Sequence, residues 1–287
     1  MIDQNLTTSQ PDTANWEPLI ITVAPNGARR TQADHPALPI SPDELAKTAK
    51  DCLLAGAAMM HVHVRGDDDQ HSLDVGRYKA AIQAIRDVVG DDLIIQVTTE
   101  AVGIYSVDQQ MTMVEELKPE AVSMAVREFV PDAASETTAA EFFLMLDQQN
   151  IMAQYILYNA GEVARFADLR RRGIIPGDHV NVLYVLGRYA AHERSDPTDI
   201  IPFLNVAGHD QCRWGICAFG PREGAAAITA TALGGHVRVG FENNRWRFDG
   251  TMADNNAELV GQAAMASIMM HRPLASADDA RIMMRGD

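Results

Sequence analysis

Two histidines one residue apart stand inside an apolar run, MMHVHVR (59–65). On an extended strand alternate side chains share a face, so His61, His63 and Arg65 point one way and Met60, Val62 and Val64 the other. Two imidazoles on one face lie about 7 Å apart along a strand, which leaves room for one cation if a third ligand comes from elsewhere. A second alternating run, GGHVRVGFENN (234–244), offers that ligand. Val237, Val239 and Phe241 form its apolar face, and His236, Arg238, Gly240 and Glu242 its polar one. Two imidazoles and a carboxylate suit zinc, and other divalent metals less selectively. A lone His-x-His on a strand is more often structural than ligating, so the pair becomes a metal site only if the fold brings Glu242 to it.

The elements that must do this are legible as alternation. Short apolar runs occupy 18–27, 59–65, 93–99, 120–126, 153–159, 181–187, 202–208 and 235–242. The stretches between them carry apolar residues at helical spacing. The first helix opens with Ser41 as N-cap, Pro42 at its first position and Glu44 three residues after the cap. Eight strands alternating with helices imply a parallel sheet, and eight units suggest closure into a (β/α)8 TIM barrel. An open doubly wound sheet is the rival, but the first strand leads into APNGARR (24–30), which lacks the Gly-x-Gly-x-x-Gly spacing of a dinucleotide site. In a closed barrel strands two and eight both flank strand one. Their polar faces look into the lumen, and Glu242 sits at the C-terminal end of its strand, where barrel enzymes place their chemistry.

The totals bound the partners. The 287 residues carry 24 Lys and Arg against 39 Asp and Glu, a net charge of -15. That balance argues against long-range attraction to nucleic acid or an anionic membrane surface. No apolar run approaches the roughly 18 residues of a membrane span, and the first sixteen residues lack the basic start and apolar core of a signal peptide. Cys52, Cys212 and Cys217 are too few and scattered for a disulfide framework and are expected as ordinary buried or half-buried thiols in a cytoplasmic protein. The expected organisation is a polar N-terminal tail, 1–16, and one barrel domain, 17–287.

Taken together, EPLIITVAPNGA, AGAAMMHVHVR, IIQVTTEAVG, LKPEAVSMAV and GGHVRVGFENN resemble the β-keto acid cleavage enzymes, also labelled 3-keto-5-aminohexanoate cleavage proteins, over nearly the whole chain. The resemblance implies a (β/α)8 barrel, usually in a homo-oligomer such as a dimer or tetramer. It implies a divalent metal, normally zinc, whose ligands fall on His61, His63 and Glu242. It implies condensation of a β-keto acid with acetyl-CoA as co-substrate, followed by cleavage to acetoacetate and a new acyl-CoA. The substrate-binding arginine of strand eight falls on Arg238, and a serine at the end of strand three falls on Thr98. Such a metal polarises the keto oxygen and stabilises the enolate, and an arginine forks onto a carboxylate.

Two departures from the family pattern set further expectations. The family motif ends Glu-Asp-Asn, with the aspartate as general base. Here it reads Glu242, Asn243, Asn244, and an amide takes no proton at neutral pH. Glu100, after the paired threonines Thr98 and Thr99, is the candidate replacement, with Glu128 and Asp210 as alternatives. In the loop after strand one, members that take an amino substrate carry a glutamate, whereas this chain has Arg29, free in solvent or paired with an acid such as Asp67. A cation there predicts a substrate with a neutral or anionic distal group, for example a dicarboxylic keto acid. Arg29, Asn243, Thr99 and Arg127 are the expected substrate contacts, with Arg188 adding to a positive mouth. The asparagine keeps two other readings open: a lyase or hydrolase of the same family that acts on a keto acid without acetyl-CoA, and an inactive barrel that binds a keto acid.

Overall fold

The computed structural model describes residues 16–188 and 194–286. The expected polar tail, apart from Trp16, lies outside them. Eight parallel strands close into one barrel: β1 (Ile21–Val23), β2 (Met59–Val62), β3 (Ile94–Thr98), β4 (Ala121–Ala125), β5 (Met152–Leu157), β6 (Asn181–Leu186), β7 (Arg213–Ala218) and β8 (His236–Val239). Each is followed by a helix: α1 (Pro42–Leu54), α2 (Val75–Val89), α3 (Val107–Leu117), α4 (Glu136–Gln148), α5 (Ala160–Arg171), the short α6 (Ile201–Leu204), α7 (Glu223–Ala232) and α8 (Asn256–Met269). A last helix, α9 (Ala277–Arg285), follows. β1 pairs with β8 through Thr22 opposite Arg238 and with β2 through Thr22 opposite Met59, which brings the two polar runs to either side of one strand.

Local chemistry starts and stops these elements as the sequence suggests. At α1 the Ser41 Oγ accepts from the Glu44 N–H at 3.3 Å and Glu44 accepts in turn from the Ser41 N–H at 2.9 Å, a reciprocal capping box. The main core lies between barrel and helices, where Ile21, Val23, Met60, Val62, Val237 and Val239 are buried against the helical layer. A second cluster closes the N-terminal end of the barrel: Ala277, Ala280 and Met284 of α9 pack against Ile20, Met59, Ile94 and Met152. The C-terminal end is left for the site. Among the described residues no helix is long and apolar enough to cross a membrane.

Strand seven was expected at 202–208, and the structure corrects this. Asp196 caps a 3-10 turn with Pro197 at its start, Pro202 opens the helical turn Ile201–Leu204, and Gly208 adopts a left-handed conformation at φ +87°. A proline pre-sets φ for a helix start and removes a ladder donor, so this run folds as turns. The strand is Arg213–Ala218 instead. Its Trp214, Ile216 and Ala218 pack outward, and Cys217 enters the lumen cluster with Leu183, Val185 and Phe219. Asp210, an alternative base, therefore lies before β7, exposed and at the end of the barrel opposite the strand C-termini. All three cysteines are free thiols, Cys52 and Cys217 buried and Cys212 half-buried, as expected.

Candidate metal centre and substrate cleft

The period-two reading holds for the two histidines, whereas Arg65 falls in a separate short ribbon paired with His71 and donates to the Ala28 and Arg30 carbonyls. His61 and His63 are both buried on the lumen side, and their Nε2 atoms lie 3.1 Å apart. Glu242 Oε2 lies 3.6 Å from His61 Nε2 and 3.5 Å from His63 Nε2. The three ligand atoms thus converge on one point, within 4.8 Å of one another. Glu242 Oε2 is buried and has no hydrogen-bond partner. A buried carboxylate oxygen without a donor is costly, and a cation at the centre of the triangle removes that cost. The donor set therefore fits a divalent metal.

Surrounding groups fix the ligands in the state a metal needs. His61 Nδ1 lies 2.8 Å from Gln96 Oε1, and Gln96 in turn donates to Gln154 Oε1 at 3.2 Å. The proton is thereby assigned to Nδ1, and Nε2 keeps its lone pair. Burial, and then the Arg238 guanidinium, press the His61 pKa well below its ordinary value, so the ring is neutral. Burial alone works to raise the Glu242 pKa, but the Arg238 guanidinium foremost holds it well below the carboxylate range. Arg238 donates to Glu242 Oε1 at 3.0 Å, to Asn243 Oδ1 at 3.3 Å and to Cys217 Sγ at 3.3 Å. Burial pushes the Cys217 thiol up to about 11 despite that cation, so it is a neutral wall atom.

The turn that carries Glu242 is clamped from behind. The Gly240 N–H donates to Glu223 Oε1 at 3.1 Å and Asn244 Nδ2 to Glu223 Oε2 at 3.2 Å. The Phe241 N–H donates to Asn256 Oδ1 at 2.8 Å. Glu223 is fully buried, and burial pushes its pKa up to about 8 against the pull of these donors. On the facing side, Asn26 donates to the His63 carbonyl at 2.9 Å and holds the point where β2 ends. Gly27 has φ +63°, and a Cβ there would stand 2.5 Å from Glu242 Cγ.

A cleft of about 700 Å³ opens above the triad at the C-terminal ends of the strands, lined by the 26–30 loop, the triad, Thr98, Glu100, Arg188, Arg238 and a group of apolar side chains. Arg29 pairs with Glu100 at 2.8 Å. Asp67, the acid suggested as its partner, pairs with Arg77 at 2.7 Å instead. Thr98 Oγ1 accepts from the Glu100 N–H at 3.0 Å, and His71 Nε2 meets the Glu100 carbonyl at 2.9 Å, so the acid sits on a fixed backbone.

Over residues 18–285 the chain matches the β-keto acid cleavage enzyme family. The chain belongs to that family. A 3-keto-5-aminohexanoate cleavage enzyme of Fusobacterium nucleatum is 30% identical over 270 residues, covering 92% of this chain and 97% of the relative. A 3-oxoadipate:acetyl-CoA acetyltransferase of Cupriavidus necator is 27% identical over 279 residues, covering 93% of this chain and 95% of the relative. The solved apo structure of ObcA superposes with a TM-score of 0.70 at 15% identity, over 87% of this chain and 65% of that one, which bears on the fold alone. As a member of the family the protein is an enzyme, a carbon–carbon bond-cleaving acyltransferase.

Against the family's expected contacts, the cleft gathers His61, His63, Glu242, Arg238, Thr98, Glu100 and Arg29. Three expected substrate contacts stand elsewhere. Thr99 follows Thr98 onto the opposite face, where its hydroxyl donates to the Ser123 carbonyl at 3.0 Å. Asn243 is fully buried behind Arg238, accepting from its guanidinium and donating to its carbonyl at 3.4 Å. Arg127 lies one layer back, its guanidinium 3.7 Å from the centroid of the Tyr158 ring and paired with Glu162 at 2.9 Å. Glu128 is half-buried and outside the lining, its pKa raised by burial and then by Glu100. Gln96, Asn26, Glu223 and Asn256 were missed from the sequence. Only Asn26 carried a local signal, the Asn-Gly pair that makes a tight turn after β1.

Two outcomes follow from this geometry. Replacing Gly27 with alanine drives a Cβ into Glu242 and strains a left-handed backbone. Gly27→Ala is expected to weaken binding of a divalent cation to the triad at least about tenfold, as loss of an outer-sphere support does. Competition against a chromophoric chelator measures it, and unchanged affinity refutes the contact's role. Glu223 gives a pH signature. Below its ordinary value of 4.5 it is protonated folded or unfolded, but between there and about 8 only the folded state keeps the proton. Stability of the native protein therefore falls as pH rises across that window, by about 5 kcal/mol at most, and is not regained above it. Glu223→Gln should remove the fall, so its Tm advantage over the native chain grows from pH 5 to pH 8. A difference flat with pH contradicts the assignment.

Proposed function

We propose that the protein condenses a β-keto acid with acetyl-CoA and releases acetoacetate and a new acyl-CoA, with a divalent cation, zinc foremost, held by His61, His63 and Glu242. The observation that carries this reading is the convergence of two imidazole nitrogens and an unpartnered buried carboxylate oxygen beside Arg238, at the catalytic end of the barrel. A cation bound there supplies Lewis-acid polarisation of a keto oxygen. Relatives named as acetyl-CoA transferases support the co-substrate.

The chain's own residues divide the remaining work. Arg238 receives the substrate carboxylate. Thr98, whose oxygen already accepts from the Glu100 N–H, turns its proton toward the cleft and orients the keto acid. Glu100, the acid on the lining that no ligand role claims, takes the α-proton. The α-carbon then bonds to the acetyl carbonyl carbon and the coenzyme A thiolate leaves. The thiolate attacks the original keto carbon, the adjoining carbon–carbon bond breaks with its electron pair on the α-carbon, that carbon takes the proton back from Glu100, and acetoacetate separates from the new thioester. Arg29 at the rim, already holding Glu100, supports a substrate whose distal group is neutral or anionic rather than an ammonium.

The exposed apolar side chains of α8, Met265, Ile268 and Met269, support a homo-oligomer such as a dimer or tetramer, with this face against a second copy. Free thiols support a reducing, cytoplasmic setting. Asn243 favours a second reading, turnover of a keto acid without acetyl-CoA, because the family's aspartate is missing. Retention of the whole ligand triad speaks against an inactive barrel.

Zinc-loaded protein, acetyl-CoA and a panel of β-keto acids decide between these. Acetoacetate and a matching acyl-CoA are expected, with His61→Ala silent. Loss of keto acid independent of acetyl-CoA selects the second reading, and preferred turnover of 3-keto-5-aminohexanoate refutes the rim argument. Glu100→Gln should lower kcat by about 10²–10⁴-fold with little change in KM. A loss of less than about threefold, small against that range, places the base elsewhere.

A further inference from the structure

The lining of the cleft is divided in its chemistry. The triad, Arg238 and the 26–30 loop occupy one side. Facing them are Ile156 from β5, Tyr158 just after it, Val185 from β6 and Phe219 just after β7, side chains that pack with Leu183 and Cys217 inside the lumen. The charged groups between these sides are engaged with one another. Arg238 holds Glu242 and Asn243, Arg30 donates to the Phe241 and Asn243 carbonyls, and Arg29 holds Glu100. Arg188 lies over the Phe219 ring, 4.9 Å from its centroid, and 3.9 Å from Glu100.

We infer that the distal part of the β-keto acid is an uncharged, short aliphatic chain that packs against Ile156, Val185 and Phe219. This rests on the acyl-transfer reading above and narrows its substrate class. With the keto acid head fixed between the triad and Arg238, the tail points across the cleft to the hydrocarbon wall. A distal carboxylate there loses water and gains a donor only by drawing Arg29 from Glu100, or Arg188 from the Phe219 ring and Glu100. A distal ammonium meets the same wall, and the described carboxylates of the lining, Glu100 and Glu242, are held by Arg29 and Arg238. An alkyl chain only exchanges water for apolar contact.

Three acids of six carbons isolate the distal group: 3-oxohexanoate, 3-oxoadipate and 3-keto-5-aminohexanoate. Zinc-loaded native protein with acetyl-CoA is expected to favour 3-oxohexanoate by about tenfold or more in kcat/KM, the discrimination an apolar pocket supplies. Equal or better turnover of either charged acid overturns the inference. Calorimetric binding of the same acids to the zinc-loaded protein separates this inference from the reaction. Should no acid be turned over, the acyl-transfer reading fails, yet tightest binding of 3-oxohexanoate still supports the apolar wall and tighter binding of a charged acid overturns it. Ile156→Lys places a cation in the wall and should move the ratio of 3-oxohexanoate to 3-oxoadipate at least about tenfold toward the dicarboxylate. Val185→Ala, which only opens the wall, should raise the ratio of 3-oxoheptanoate to 3-oxohexanoate. If neither ratio moves, the tail does not lie on this wall.

Discussion

One buried negative charge organises this end of the barrel. Glu242 is removed from water, yet the guanidinium of Arg238 keeps it ionised. Burying a carboxylate is costly unless it is paired and hydrogen-bonded, and here only one of its two oxygens is. The structure keeps the second oxygen bare and aims it between two histidine nitrogens. A fold that only needed stability would place an apolar side chain at this position. Three ligand atoms converge on one point instead, and the surrounding elements are arranged to hold that geometry rather than to relieve it.

The hold comes from three layers of support. Gln96 fixes the His61 tautomer, Asn26 fixes the His63 backbone, and Gly27 leaves the space that Glu242 fills. Glu223 and Asn256 grip the turn Gly240–Asn244, whose backbone passes so close to β1 that a Cβ on Gly240 would stand 2.5 Å from the Ala24 carbonyl oxygen. These contacts tie the ends of β1, β2 and β8 and the starts of α7 and α8 into one rigid unit. Ligand precision of a few tenths of an ångström is the property such support provides, and side chains on unsupported loops do not reach it.

How much of this the sequence disclosed depends on range. Alternation in MMHVHVR and GGHVRVGFENN placed four polar side chains correctly in the lumen, because the period of a strand is a local property. Adjacency of β2 and β8 to β1 needed only the closure of eight units. Strand seven was misplaced because the apolar run 202–208 looked like its neighbours, while Pro197, Pro202 and Gly208 were read as background instead of as turn chemistry. Glu223 and Asn256 stayed invisible for a different reason. Each is the first residue of its helix, and their partners are amides of the Gly240–Asn244 turn, 15 to 21 residues away in the chain. Thr99, Asn243 and Arg127 were the right residue types at the right strand ends, but a strand end has two faces and a side chain there has several layers to occupy.

The substitution at Asn243 gains a physical meaning in this setting. An amide there completes the hydrogen bonds of Arg238 with no charge of its own, so the guanidinium is shared with one carboxylate, Glu242, instead of two. Arg238 is left with more positive potential for an incoming substrate carboxylate than it would have beside a second acid. The same exchange takes a proton acceptor away from beside Arg238. The remaining acid on the lining, Glu100, stands at the rim and is anchored through Thr98 and His71. With the roles proposed for Arg238 and Glu100, proton transfer and carboxylate binding, which a Glu-Asp-Asn motif would combine beside one arginine, are separated in space. The geometry of the substrate between Arg238 and Glu100 then decides which of its hydrogens can leave.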